Sequence, residues 1–252
     1  FTFKPFDRIR ISVGNSSIYD NKFNPIYLMP VMFYKSLDHT YNGAGSNEIG
    51  QNSQLFFDIS VRRLKHFHFY ATMFVDEISF SNLWDKDNHS NFFSMKGGFQ
   101  MSNVLPNTFL TFEYTRTNPW AFRHDQATTT FASNQFTLGH HLLDNSDEIH
   151  VSLAFKPVKK LTASLSYTKS RKGPEHIFQV VQGVPNVKGL NWMETVDWTH
   201  SAIKFSASYQ IMNNASVNLG FTINSITGNQ NVSAGYFWGN QNLLSFGAHF
   251  GL

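Results

Sequence analysis

Apolar and polar residues alternate at period two through run after run of this chain, and that alternation restricts what it can fold into more than any other feature. Asp7 to Gly14 puts Ile9, Ile11 and Val13 on one face and Arg8, Arg10 and Ser12 on the other. Gln54 to Arg62 sets Leu55, Phe57, Ile59 and Val61 against Asp58, Ser60 and Arg62. His66 to Asp76 and Asn91 to Ser102 repeat the pattern, with Phe67, Phe69, Met73 and Val75, then Phe93, Met95, Phe99 and Met101, on the apolar side. Such spacing belongs to a pleated strand with two unlike surroundings and not to a helix. Further runs near 108–116, 149–157, 160–170, 193–199, 202–211, 215–226, 231–238 and 242–252 bring the count to about twelve strands.

A soluble sandwich alternates too, so length and composition have to decide. Soluble strands average about 5 to 6 residues and carry charge on the solvent face. These runs are longer, and their polar faces are mostly Ser, Thr, Asn, Gln and Gly. Charged residues make up 15% of the chain and aromatic residues 16%, including 26 Phe, whereas ordinary soluble domains are roughly a quarter charged. No stretch approaches the roughly 18 apolar residues of a spanning helix. The fold expected is all-β: an antiparallel transmembrane β-barrel of the bacterial outer membrane, built as one domain over residues 1–252.

Several function classes fall away. With 0 Cys there is no disulfide scaffold, thiolate nucleophile or Cys-ligated metal, which fits an oxidising compartment. The net charge of +3 is scattered, with no basic block to track phosphates, so no nucleic-acid partner is expected. Phe1 to Phe6 lacks the charged and apolar regions of a secretory signal, so a processed or truncated chain is expected.

Connection lengths supply a second line of argument, because bacterial barrels pair short periplasmic turns with long outer loops. Counting back from Leu252 in the periplasm, short turns fall at Arg63 to Lys65, Asn103 to Asn107, Pro157 to Lys159, around His200 and at Thr227 to Gln230. Long outer loops fall at 15–53, 77–90, 118–147 and 171–192. Ser245, Gly247, Phe250 and Leu252 fit the terminal-strand signature read by the outer-membrane assembly machinery, so a native C-terminus is expected.

Candidate chemistry is sparse. Asp58, Arg62, His68, Asp76, Lys96 and Glu113 fall on the polar faces, where they are expected to form ion pairs bracing a lumen. His66 with His68, and His140 with His141, invite a metal, but no third ligand follows at diagnostic spacing, so neither metal nor cofactor is expected. Adjacent acids such as Asp76 with Glu77 would point to opposite strand faces, and no nucleophile or phosphate-loop motif appears, so no enzyme is expected. The 118–147 loop concentrates rings and planar polar groups: Trp120, Phe122, Arg123, His124, Asp125, Gln126, Gln135, His140 and His141. Exposed rings there could stack on sugars, or Trp120 could belong to an interfacial aromatic girdle.

The stretch from Phe112 to His124, followed by Leu138-Gly139-His140 and Asn145-Ser146-Asp147-Glu148, resembles the Wzi-like capsule-assembly family of outer-membrane barrels. Val75-Asp76-Glu77, Tyr27-Leu28-Met29-Pro30 and Phe33-Tyr34-Lys35-Ser36 add to the likeness, which covers roughly Ile9 to Gly173. The resemblance implies a plugged barrel that binds or organises surface polysaccharide without catalysis, with Glu113, Arg116, Trp120, His124, His140, Asp147 and Glu148 on its loop and upper-wall motif. The family barrel is larger, of about 18 strands, so on this reading the chain is a C-terminal portion.

The expectation is therefore a non-enzymatic barrel whose loop residues Trp120, Phe122, Arg123, His124, His140, Asp147 and Glu148 contact glycan. Its partners would be outer-membrane lipid and lipopolysaccharide, surface polysaccharide, the assembly machinery and other envelope proteins. The alternatives are a porin-like diffusion channel or a structural subunit of a secretion or surface-assembly complex.

Overall fold

The structure is a computed structural model that describes residues 1–19, 25–29, 31–36, 51–78, 80–124, 127–134, 136–176, 180–181, 184–185, 188–232 and 238–251. Its strands are β1 Thr2–Phe6, β2 Ile9–Tyr19, β3 Gln51–Val61, β4 Phe67–Glu77, β5 Phe92–Ser102, β6 Thr108–Thr117, β7 Ala132–Ser133 and β8 Phe136–Thr137. They continue with β9 Ser146–Val158, β10 Leu161–Lys172, β11 Val180–Val181, β12 Val184–Pro185, β13 Trp198–Met212, β14 Ala215–Gly228 and β15 Gly239–Phe250. Eleven of them form one antiparallel sheet in the order β1-β2-β3-β4-β5-β6-β9-β10-β13-β14-β15, leaving β1 and β15 as edges. Two small hairpins, β7 with β8 and β11 with β12, stand apart. No helix among the described residues is long and apolar enough to cross a membrane.

Neighbours in the sheet are neighbours in the main chain order, so connections alternate between its two ends. One end carries the short ones, at 7–8, 62–66, 103–107, 159–160 and 213–214, and the other carries every longer one. The tight turns use residues that tolerate positive φ: Asn103 (φ 56) and Asn107 (φ 60) bracket one of them, in the left-handed region that Asn enters more readily than most residues. Thr108 clamps it by donating from Oγ1 to the Leu105 carbonyl at 2.6 Å.

The strand expectations need three corrections. β1 falls outside the expected runs, because its Thr-Phe-Lys-Pro-Phe sequence does not alternate cleanly. The run at 202–211 lies within β13, which takes in only Trp198 and Thr199 of the run expected at 193–199, residues 193–197 lying outside any strand; His200 pairs with Ile226 instead of turning, and the turn lies at 213–214. The connection near Thr227 to Gln230 therefore belongs to the long-loop end, and the strand expected at 231–238 is turn and bend at 231–232, with 233–237 outside the described residues. These two errors cancel, so β15 still runs toward the short-turn end.

The faces are inverted relative to a soluble protein. On one, Phe57, Ile59, Phe69, Leu153, Leu165, Ile203, Phe205, Leu219, Phe221 and Ile223 are exposed, and on β15 Leu244 and Phe246 reach 75% and 78%. The registers place them in rows, such as Leu165, Phe205, Phe221 and Leu244 across four strands. By contrast, the fully buried side chains include Gln54, Asn145, Thr117, Thr129 and Ser170. Buried polar groups need partners, and the opposite face supplies them as serine pairs such as Ser164 with Ser206, 2.6 Å apart.

Candidate functional site

The 118–145 segment folds back over the polar face at the long-loop end. Its backbone is anchored at both ends: the Asn118 amide donates to the Phe93 carbonyl at 3.0 Å and the Asn145 amide to the Asn118 carbonyl at 3.3 Å. Trp120 turns the chain at a positive φ of 61, a conformation that a bulky residue rarely adopts. It thereby delivers Phe122 onto the sheet. Phe122 lies 5.1 Å from the ring of Phe74 on β4, and Phe131 lies 4.7 Å from Phe74 and 6.2 Å from Phe56 on β3. A Cβ on Gly139 would stand 2.4 Å from the Phe122 ring, so glycine at that position is what allows the ring to lie flat against the loop. Only 6% of Trp120 and 5% of Phe122 are exposed. The expectation of exposed stacking rings, and equally of a girdle Trp, is corrected: a nearly apolar loop core needs a surface to bury against, and Phe56 and Phe74 interrupt the polar face to provide one.

A cavity of about 560 Å³ opens beside this cluster. Its lining mixes the rings of Phe56, Phe74, Phe122 and Phe131 with the polar side chains of Asp58, Lys96, His140 and His141. Below it runs a braced ladder of charge. Tyr70, Gly98 and Glu113 are in register across three strands. The Tyr70 hydroxyl reaches over Gly98 to donate to Glu113 at 2.6 Å. A Cβ on Gly98 would come within 3.0 Å of that ring and 2.5 Å of the Phe112 carbonyl. Lys96 Nζ lies 3.7 Å from Glu113. His68 bridges Ser60 at 2.9 Å and Gln100 at 3.4 Å. Lys96 and Glu113 thus pair, and Asp58 and His68 share their face; Arg62 lies beyond β3 in a short turn, bound through its backbone to Arg8.

Asp76 is buried beneath the loop, where it accepts from Asn52 Nδ2 at 2.8 Å while its carbonyl receives Lys35 Nζ at 2.9 Å. The Tyr27 and Tyr34 segment closes over the same corner, Tyr34 donating to the Tyr27 carbonyl at 2.9 Å.

A second network pins the loop from outside. Asp144 accepts the Phe122 amide at 2.9 Å and faces Arg123 Nε at 3.2 Å. Arg123 and Lys172 both reach Glu175, at 3.4 and 3.5 Å. Burial raises the Asp144 carboxyl to about 6 against the pull of Phe122 and Arg123. Burial also acts on Glu175, but the two cations outweigh it and hold its carboxyl below the usual range. His124 is 2.8 Å from the Thr129 hydroxyl.

Of the remaining loop candidates, Asp147 and Glu148 part company at the first step of β9. Asp147 sits in register with Arg116 and Arg171, on the apolar side of the wall, and accepts Arg171 Nε at 2.9 Å. Arg116 stacks 4.1 Å above the Trp192 ring. Glu148 points the other way, toward His140 at 3.8 Å and His141 at 3.4 Å. The seven residues proposed as one glycan surface therefore divide into a buried loop core, a loop clamp, an ion pair on the outer face and a His-His-Glu group at the cavity. Of the terminal-strand residues, Ser245 and Gly247 lie on the polar face and Phe250 on the apolar one; Leu252 and, in the loop, Asp125, Gln126 and Gln135 lie outside the described residues.

No family model matches this chain, and no curated protein matches it. Among solved structures it is similar to OccD3 (OpdP) of Pseudomonas aeruginosa, at 10% sequence identity and a TM-score of 0.43, the match covering 100% of this chain and 67% of that one.

Proposed function

We propose that this chain forms the wall of an outer-membrane β-barrel whose polar face lines a passage for small polar solutes, narrowed by the inward-folded 118–145 loop. The observation that carries the reading is the inversion of the sheet: rows of exposed Phe, Leu and Ile across adjacent strands on one face, and buried Gln, Asn, Ser and Thr on the other. An apolar face of that extent is not left in water by a soluble protein, and in lipid it is the ordinary outer surface of a barrel. Strands of 10 to 15 residues from β2 onward, the two loop hairpins aside, are long enough to cross at a tilt. In lipid the edges β1 and β15 must also find strand partners. Solute passage is favoured over sugar stacking because the two rings best suited to sugar, Trp120 and Phe122, are committed to the loop core.

The glycan-organising role implied by the Wzi-like resemblance keeps one observation in its favour, since His141 remains 66% exposed at the cavity mouth. Planar-bilayer conductance decides between the two. The passage reading expects steady ionic current through the reconstituted protein and a larger unit current when residues 127–137 are removed. A silent bilayer, together with loss of surface polysaccharide in a His141→Ala strain that retains folded barrel, would support the glycan role instead.

A further inference from the structure

We propose that His140, His141 and Glu148 form a binding site for a divalent transition-metal ion of the zinc class at the wall of the cavity. One ligand atom from each residue lies within 4.8 Å of the others. Nε2 of His141 is 3.4 Å from one Glu148 oxygen and Nε2 of His140 is 3.8 Å from the other. Tetrahedral ligands held 2.0–2.2 Å from zinc stand about 3.4 Å from one another, so small side-chain rotations close the shell. Two imidazoles and a carboxylate are borderline ligands that suit this ion class.

The positions of the two histidines explain why spacing alone does not reveal the site. In a strand, adjacent residues point to opposite faces, but 140–141 lie in the turn after β8, and their rings converge with centroids 4.4 Å apart. The third ligand comes from the next strand. Glu148 is held by an outer-shell hydrogen bond, the Ser170 hydroxyl donating to its Oε2 at 2.7 Å, the kind of contact that orients a ligating carboxylate. Ser170 itself is buried on β10.

Two features oppose a bound cation, and neither outweighs the geometry. Lys96 lines the same cavity, but its charge is already drawn toward Glu113. The Leu142 amide donates to His140 Nδ1 over a long 3.4 Å, and that weak bond is surrendered when Nε2 takes the metal and Nδ1 the proton. Three protein ligands would leave the shell incomplete, and because His140 and His141 line the cavity, water or the carboxylate or phosphate of a solute would complete it. The ion would also staple the loop to β9.

The test uses the whole chain folded in detergent and freed of metal, titrated with Zn2+ against a chromophoric chelator, with Co2+ as a spectroscopic probe. The proposal expects one ion per chain, and visible Co2+ absorption of a four- or five-coordinate site that disappears in His141→Ala. Zn2+ affinity should fall by at least about tenfold in His141→Ala and Glu148→Gln, and by roughly tenfold in Ser170→Ala, where no ligand is lost. His66→Ala should bind as the parent does. Because His141 is exposed, its variant folds even if Glu148→Gln does not. Failure of the parent chain to bind Zn2+ stoichiometrically, or equal affinity in His141→Ala and the parent, overturns the proposal. The conductance result bears only on the passage reading, so the two can fail separately.

Discussion

The wall and the loop folded against it follow opposite packing rules within one chain. In the wall, apolar groups face outward and polar groups are buried; in the 118–145 loop, Trp120, Phe122 and Phe131 turn inward as in a soluble core. Where the two meet, Phe56 and Phe74 replace the polar residues that the alternation would otherwise place there. The lesson is that a sheet can carry a local apolar landing site for a loop on its polar face without disturbing its register, because only every second residue is involved. The charge clamp of Asp144, Arg123, Glu175 and Lys172 then holds the docked loop from its outer side.

The comparison breaks first, and by the largest margin, at Phe122. Phe122→Ala removes a ring enclosed by Phe74, Phe131 and Gly139 and should weaken loop docking by about 3 kcal/mol, the low end for a buried Phe because the cavity adjoins it. Protease cutting within 127–137 should accelerate while the wall keeps its heat-modifiable migration. Loss of the folded wall as well would mean that loop and wall form one cooperative unit.

On the wall itself, Phe221→Arg places a charge in the middle of the apolar rows and should cost about 2 to 4 kcal/mol in lipid. Thr222→Arg, one residue along and facing Lys204 across the polar side, should cost less. Equal losses in urea titrations from vesicles would show that the two faces do not differ in surroundings.

A smaller effect sharpens the account of the bracing ladder. Gly98→Ala forces a Cβ against the Phe112 carbonyl and the Tyr70 ring, and clashes in a close-packed region cost about 1 to 3 kcal/mol. The same change at Gly97, whose Cβ would meet nothing within 4 Å, should be close to neutral. Similar stability of both variants would dismiss the Tyr70 to Glu113 contact as a support of the wall.

The wall is legible in sequence because its side chains repeat one rule that local spacing records: alternation marks nine of the eleven sheet strands individually and the faces of the sheet, and it fails where β1 does not alternate, where β13 runs unbroken through His200, and at 231–232, where turn and bend stand in an expected strand. The loop was not legible. Its aromatic residues read as exposed because nothing local says that Trp120 takes a left-handed turn, or that Phe56 and Phe74 wait across the sheet. The resemblance groups Asp147 and Glu148 in one motif, although adjacent strand residues point to opposite faces; a single pleat step sends one to Arg171 and the other to the histidines. Glu148 was named from a resemblance, but its meeting with His140 and His141 depends on a turn whose geometry the spacing does not encode.

The smallest effect expected is a pH dependence of loop docking, and its sign follows from the clamp. The Asp144 carboxyl is raised from 3.8 to about 6 when the loop is docked, so the docked state binds a proton more readily than the released one. Docking is then strongest at low pH and weakens as pH rises from about 4 to about 6, with no further change above that from this group. Other groups oppose it. Glu175, held low by Arg123 and Lys172, loses its contribution as pH falls through the acid range, and half-buried His176, whose ring desolvation holds below its usual range, disfavours docking when it must protonate. The parent's net slope should therefore be shallow, and the informative quantity is the difference between parent and Asp144→Asn. Protease protection of 127–137, measured from pH 4 to 7 for both proteins, should show the variant relatively better docked at the upper end, where the parent buries a charge and the variant does not. Parallel profiles would mean that Arg123 and the Phe122 amide compensate the buried carboxylate fully, and that the clamp holds the loop by charge alone.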